Sequence, residues 1–312
     1  MPRLPHAGET VAAHALHIEP GGKGLNVAIG LKRLGIAVHT LIGCGTDAAG
    51  SDLLALLARE GIDTRHVHRF DGPSGWGAGL IGADGENVIA VFAGANAALE
   101  PAHVTLAQED VRAAQLVYGQ LETSLGTVQA AFELAHTSGV MTVLNPSPWC
   151  EMPPELSRHT HTLIVNQSEA AHLLGLSSPL ADDVSGAVHA LRQWLPGLRQ
   201  YWPALQRLVL TLGANGSLGC EAVDGGWRGW HVPAPRVRVL DTVGAGDAFA
   251  CGYCAAVLAG EPLAAALRWG NLCGAHMVQQ HGVLAALPGK ARLTALRRRP
   301  LTSEPIRLSE TG

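Results

Sequence analysis

The 312-residue sequence has no uninterrupted apolar segment of membrane-spanning length. Every hydrophobic stretch is broken by Gly, Pro or a charge within about 18 residues, so no transmembrane helix is expected. The first 19 residues carry His, Glu and Pro without an apolar h-region, so no secretory leader is read there. Charge is scarce, at 15% of residues and a net −4. The one basic block, Arg297-Arg-Arg299, precedes Pro300 and a polar tail and reads as a solvated chain end, so no nucleic-acid partner is expected. The fifteen histidines show no H-x-x-x-H or H-E-x-x-H spacing. The six cysteines are scattered, and Cys251-Gly-Tyr-Cys254 lies inside an apolar helical stretch with no second pair nearby. Buried thiols are the better reading there, and no zinc site is expected. What is left is a cytoplasmic chain whose 47% apolar content suffices for a large buried core.

Two glycine-rich turns stand out against this background. Asp241-Thr-Val-Gly-Ala-Gly-Asp247 follows a strand-like run at 237–240 and opens an apolar helical segment at 248–258. Gly244 and Gly246 permit a tight turn with backbone N–H groups facing open space, and a helix N-terminus favours anions. A carboxylate beside an anion hole suits phosphoryl transfer. The amides of Gly244, Ala245 and Gly246 would hold the phosphoryl oxygens, and Asp247 would take the proton of the attacking hydroxyl. The plainer alternative for Asp247 is a charge that stabilises a helix start. The second turn, Gly21-Gly-Lys-Gly-Leu-Asn26, opens another helix; it is not a Walker A loop, since Gly follows Lys23. Gly22 and Asn26 suit sugar hydroxyls and Lys23 suits a phosphate.

Between these turns strands and helices alternate. Strands are expected at 38–42 (followed by a turn at 43–45), 115–118, 141–144, 162–165 and 208–212, and helices at 51–60, 126–136 and 182–195. That order predicts a mostly parallel sheet covered on both faces, with ligands beyond the strand C-termini. Tyr118, Asn145, Asn166, Gly213 and Gly244 all fall at such ends. Residues 75–92 break the pattern. Two apolar segments flank an Asp84-Gly85 turn signal without a helix, which predicts a hairpin needing cover on both faces. Residues 183–205 read as a surface helix and loop, and 303–312 as a disordered end.

Both glycine turns resemble the two signatures of the ribokinase (PfkB) family of carbohydrate kinases: Gly21-Gly-Lys-Gly-Leu-Asn-Val-Ala-Ile-Gly-Leu-Lys-Arg-Leu-Gly35 the first, Asp241-Thr-Val-Gly-Ala-Gly-Asp-Ala-Phe249 the second. The segment from Gly85 to Leu99, Gln120-Leu-Glu122, Leu144-Asn-Pro-Ser-Pro148 and Thr211-Leu-Gly213 resemble the ribokinase branch. The resemblance implies a three-layer α/β/α sandwich with a mostly parallel central sheet and a small β-sheet lid. It divides the chain into a core at 21–73 and 96–295, a lid at 5–20 and 74–95, and a flexible tail at 296–312. It implies ATP-dependent phosphorylation of a sugar, ribose foremost and another furanose, ketose or sugar phosphate as the alternative, and a homodimer formed through the lid; a truncated, non-catalytic member of the family is the remaining alternative, against which the intact Asp247 and Gly244-Ala-Gly246 argue. Glu122 joins Gly22, Lys23, Asn26 and Asp247 around the sugar. Asn166, Thr211, Gly213, Gly216, Gly246 and Asn271 contact ATP. Asn166-Gln-Ser-Glu169 resembles the family's Asn-x-x-Glu motif, in which Glu169 orders Mg²⁺ through water, although the same spacing also spells a helix capping box. K⁺ would sit against Asp241, the Val243 carbonyl and residues 281–288.

Three departures carry expectations of their own. Leu25 and Val27 lean towards phosphofructokinase-like relatives, and Trp149 stands where a small residue is usual. Leu4-Pro-His-Ala-Gly-Glu9 matches the turn that follows the family's first strand, while the strand and its sugar-binding Asp do not stand before it. Weak sugar binding or poor folding of the chain as written is the expectation from that reading, with the missing strand encoded upstream.

Overall fold

The computed structural model describes residues 1–83, 87–176, 179–180, 183–298, 301–306 and 308. The Asp84-Gly85 turn, Asp182, Arg299 and residues 309–312 lie outside them. In chain order the elements are α1 (Lys23–Arg33), β1 (Ile42–Gly45), α2 (Ala48–Arg59), β2 (Val67–Phe70), β3 (Trp76–Ile81), β4 (Asn87–Phe92), α3 (Pro101–Leu106), α4 (Gln108–Ala113), β5 (Leu116–Gly119), α5 (Leu125–Thr137), β6 (Met141–Leu144), α6 (Pro154–Arg158), β7 (Thr162–Asn166), α7 (Gln167–Leu173), α8 (Val184–Tyr201), β8 (Arg207–Thr211), β9 (Ser217–Val223), β10 (Gly226–Val232), α9 (Ala245–Leu258), α10 (Leu263–Met277), α11 (Lys290–Leu296) and β11 (Glu304–Ile306).

Seven strands form the central sheet in the order β11-β10-β9-β8-β7-β6-β5, parallel from β5 to β8 and antiparallel from β8 to β11. Strand alternation splits the core in two. Val143, Ile164 and Val209 face α1, α9 and α10, while Leu144, Leu163, Val165, Leu208 and Leu210 face α5, α7 and α8. The three-layer sandwich is thereby set by sequence parity, each buried Leu, Ile or Val supplying about 1.5–3 kcal/mol. α9 is buried along most of its length, from Asp247 to Ala256.

Several expectations need correction. The first strand is Ile42–Gly45, not 38–42, and Gly43-Cys-Gly45 is strand rather than turn. It pairs in parallel with β2, and these two form a sheet separate from the central one. No strand forms at 237–240, where the chain is irregular and bends at Leu240. α8 is not a surface appendage: Leu191, Leu195 and Leu198 are buried in the core, as is Trp202 just beyond it. Glu304–Ile306 is no loose end but pairs with Gly229, Trp230 and His231 of β10. Arg297 stacks over Trp269, 3.9 Å from the ring centre, and pairs with Glu261.

The hairpin β3–β4 is antiparallel, from Trp76 opposite Phe92 to Ile81 opposite Asn87. Trp76, Val88, Ile89, Val91 and Phe92 are exposed on it. Residues 6–19 add no strand to it. Its base is tightly bonded. The Ala95 N–H donates to the Pro73 carbonyl at 3.0 Å. Asp47, the N-cap of α2, accepts from the Ser74 N–H at 2.9 Å and from its hydroxyl at 2.6 Å, and the Ser74 hydroxyl oxygen accepts from the Gly45 N–H at 2.9 Å.

Candidate active site

Two helix starts meet beyond the C-terminal ends of the parallel strands. Gly244 caps α9 with φ +79, in the left-handed region, and an added Cβ there would meet Met277 Cε at 2.6 Å and Val283 Cγ1 at 2.8 Å. Only glycine fits that corner. One turn on, Asp247 is 5% exposed. Asn26, from α1, donates its Nδ2–H to Asp247 Oδ2 at 2.7 Å, a bond that joins residues 221 apart in sequence. Burial pushes the Asp247 carboxyl up from its ordinary value, opposed by the Lys23 charge and the Asn26 bond.

The same corner binds Glu122. Gly22, at φ +120, lets the chain turn so that the Lys23 N–H donates to Glu122 Oε2 at 2.6 Å. Burial raises the Glu122 carboxyl, while the Lys23 N–H and charge lower it. On the other flank Glu169 is buried. Its Oε2 accepts from the Asn166 N–H at 3.0 Å and Asn145 Nδ2–H at 3.2 Å, and Asn166 Oδ1 accepts from the Glu169 N–H at 2.8 Å. The capping box is therefore formed, and it aims this carboxylate at the strand ends.

A cavity of about 60 Å³ is lined by Lys23, Asn145, Asn166, Glu169, Thr211, Gly246 and Asp247, with Ile164, Val165 and Ala250 as its apolar floor. Residues from both ends of the chain thus share one space. A groove of about 400 Å³ between α3 and α5 is larger, but it is open and holds none of the motif residues. Asn145, which the sequence places at a ligand-binding strand end without assigning it a role, lines the cavity directly.

Other expected residues sit around the cavity rather than in it. Gly213 and Gly216 shape the turn from β8 to β9 with φ +52 and +88, and a Cβ at Gly216 would strike the Val232 carbonyl at 2.1 Å. Asn271 is buried and donates Nδ2–H to the Val232 carbonyl at 2.7 Å, so its amide braces the chain after β10. Asp241 Oδ1 accepts from the Val243 N–H at 2.9 Å. The Ala245 N–H turns back to the Thr242 carbonyl at 3.2 Å, which leaves Gly244 and Gly246 as the better-placed amides of the expected trio.

A family model described as pfkB family carbohydrate kinase matches residues 2–290. The chain belongs to the pfkB family. Ribokinase from Mus musculus is 30% identical over 298 residues, covering 93% of this chain and 88% of that protein. Deoxyribokinase from Salmonella typhi is 30% identical over 288 residues, covering 92% and 90% respectively. The crystal structure of ribokinase from Cryptococcus neoformans var. grubii serotype A in complex with ADP superposes with a TM-score of 0.80 at 28% identity, covering 95% of this chain and 94% of that one. This pfkB member is accordingly a sugar kinase, a phosphotransferase with an alcohol acceptor. Among the described residues no helix is long and apolar enough to cross a membrane.

Proposed function

We propose that the chain transfers the γ-phosphoryl group of ATP to the 5-hydroxyl of ribose, with Asp247 as general base. The observation that carries this reading is the buried Asp247 carboxylate, gripped by Asn26 and opening into the cavity that Lys23 and Gly246 also line. Its raised carboxyl makes it a better proton acceptor than a free Asp while burial keeps water away. Gly244 and Gly246 donate backbone N–H groups to the transferring phosphoryl oxygens at the positive end of α9. Glu122 and Asn26 bind sugar hydroxyls. Asn26 Oδ1 is buried and without a partner among the described residues, as suits an acceptor waiting for a hydroxyl. Lys23 faces the phosphate. Thr211, Gly213, Gly216, Asn166 and Asn271 form the nucleotide side.

The oxygen donors Asn145, Asn166 and Glu169 fit Mg²⁺, which prefers hard oxygen ligands and keeps bound water. When bound, it neutralises charge on the phosphate oxygens. The site for K⁺ lies at the Asp241–Val243 turn. The N–H groups of Leu240 and Asp241 both donate to the Val278 carbonyl, which draws that turn alongside residues 279–284. We place the enzyme in the cytoplasm, as a homodimer in which the exposed hairpin faces cover each other.

Ribose is preferred because relatives named ribokinase match over nine-tenths of the chain and Gln120-Leu-Glu122, on the sugar side, resembles that branch, whereas the relative named deoxyribokinase makes 2-deoxyribose the second candidate. Leu25 and Val27 do not bear on this choice: both are buried core residues, 6% and 1% exposed. Trp149 stacks on His172 with ring centres 5.5 Å apart and is not among the cavity residues. Sugar-dependent ADP release across ribose, 2-deoxyribose, fructose and their phosphates tests the assignment. The highest kcat/KM is expected with ribose, and no sugar-dependent release from any of them overturns it.

A further inference from the structure

The two glycine turns are joined by a second hydrogen bond besides that of Asn26 and Asp247. It comes from Glu19, which ends an exposed stretch at 12–18 and stands directly before Pro20 and the Gly21-Gly22 turn. Glu19 Oε1 accepts from the Val283 N–H at 2.7 Å, across 264 residues of sequence. The Glu19 side chain is 23% exposed, so the carboxylate lies against the body of the protein. Gly282 makes its seat. The chain turns there at φ +78, and an added Cβ would lie 3.8 Å from Glu19 Oε1 and 3.4 Å from His17 Nε2.

Val283 in turn backs the glycine that caps α9. Gly244 has no side chain to fix its orientation and holds φ +79, so what packs on its Cα decides where its N–H points. Met277 and Val283 do that packing, with Val283 Cγ1 2.8 Å from the ideal Cβ position. Met277 is carried by α10. Val283 lies on an irregular loop, where no helix or ladder fixes it. Its place is set by discrete bonds. Its N–H goes to Glu19, its carbonyl accepts from the Ala286 N–H at 3.2 Å, and the next carbonyl, of Leu284, accepts from Arg33. The Glu19 bond is charge-assisted, about twice as strong as a neutral one.

We propose that Glu19 is a positioning residue for phosphoryl transfer: by holding the Val283 N–H it keeps Val283 pressed on Gly244 and so fixes the direction of the anion-hole amide. The inference rests on the kinase reading of Gly244 and Asp247. The sugar turn has anchors of its own, since Glu122 holds the Lys23 N–H and Asp247 holds Asn26. Loss of Glu19 therefore reaches the rate before it reaches sugar affinity.

Glu19→Leu removes the acceptor with a side chain of similar size, and Glu19→Gln keeps an oxygen that can take the same N–H. With the sugar that wild type uses best, Glu19→Leu is expected to lower kcat about tenfold, as for one charge-assisted hydrogen bond, while KM for sugar stays within about twofold. Glu19→Gln should recover kcat to within about threefold of wild type. Val283→Ala keeps the Glu19 bond and removes the wall behind Gly244. It should lower kcat by a similar factor, and Glu19→Leu combined with Val283→Ala should lose little more than either alone. Wild-type kcat in Glu19→Leu or in Val283→Ala overturns the inference. So do equal losses in the Leu and Gln variants, a loss carried by sugar KM, or additive losses in the double variant. A further readout needs no turnover. In ¹⁵N-labelled protein the Val283 amide should exchange about tenfold faster in Glu19→Leu and the Gly244 resonance should move, both reverting in Glu19→Gln. An unmoved Gly244 resonance overturns the inference. Wild type that phosphorylates no sugar would sink the kinase reading instead, and the Gly244 resonance would still decide whether Glu19 holds that corner.

Discussion

Asp247→Asn is the sharpest test of the chemistry because the structure separates its effects on rate and on stability. The asparagine is isosteric, and its Oδ1 can still accept the 2.7 Å bond from Asn26 Nδ2. Packing is therefore preserved. The native carboxyl is raised by burial, so at neutral pH the fold carries the cost of a desolvated charge. For a group whose folded pKa lies above its unfolded value, stability is lost as pH rises through the folded pKa. The neutral amide escapes that loss, so Tm at pH 7 should stay level or rise. Turnover should move the other way. An amide cannot take the hydroxyl proton, and general-base loss typically costs about 10²–10⁴ in rate, or about 3–5 kcal/mol of barrier. The assay is sugar-dependent ADP release, with ATP affinity measured in parallel by calorimetry and expected within about threefold of wild type. A kcat near wild type would refute the general-base assignment. A collapse in Tm would refute the claim that the Asn26 bond survives.

Three further outcomes are expected. Gly246→Ala meets nothing within 4 Å of its new Cβ, whereas Gly244→Ala meets Met277 and Val283 and must hold φ +79; the first should keep its Tm and lose phosphate-side kinetics, the second should unfold earlier by about 1–2 kcal/mol or more, as thermal melts would show. Val91→Asp places a charge on the exposed hairpin face, 50% exposed at that position; light scattering should report monomers, and an unchanged dimer would move the interface elsewhere. His161 is held down to about 4, mainly by burial and then by Arg207 and His136. Since the unfolded histidine takes up a proton below about 6.5, stability should be full above that pH and fall towards pH 4, by about 1–2 kcal/mol allowing for partial exposure; His161→Gln should flatten the fall in urea midpoint between pH 7 and 5, and an identical fall would remove His161 as its source.

The site was legible in the sequence wherever backbone conformation dictated the residue. Gly22 and Gly244 hold positive φ, and a run of glycines around one lysine or aspartate has few other uses. The convergence of Lys23, Thr211 and Asp247 followed from all of them lying at strand ends or helix starts. What failed to read was close approach. Gly43 and Gly45 looked like turn residues, but they are strand residues pressed against neighbours: added Cβ atoms would lie 2.6 Å from the Ala95 carbonyl and 2.4 Å from the Gly72 carbonyl. Sequence shows the missing side chain, not the wall that excludes it. α8 misled for a related reason, since Pro196 within it reads as a break, while Leu191, Leu195 and Leu198 keep the buried face in phase across it. Glu304–Ile306 is too short and too polar to announce a strand, and pairs because β10 offers it a free edge.

The way the hairpin leaves the body has a consequence for how this enzyme can change over time. Its two legs depart side by side, closed off by the Ala95–Pro73 bond and the Asp47–Ser74 pair, so the whole of 76–92 is a single excursion from one address. Among the described residues no core strand pairs with it. Substitutions, lengthening or replacement of that excursion therefore leave the register of the central sheet untouched, and the exposed apolar face of the hairpin can drift independently of the chemistry beneath it.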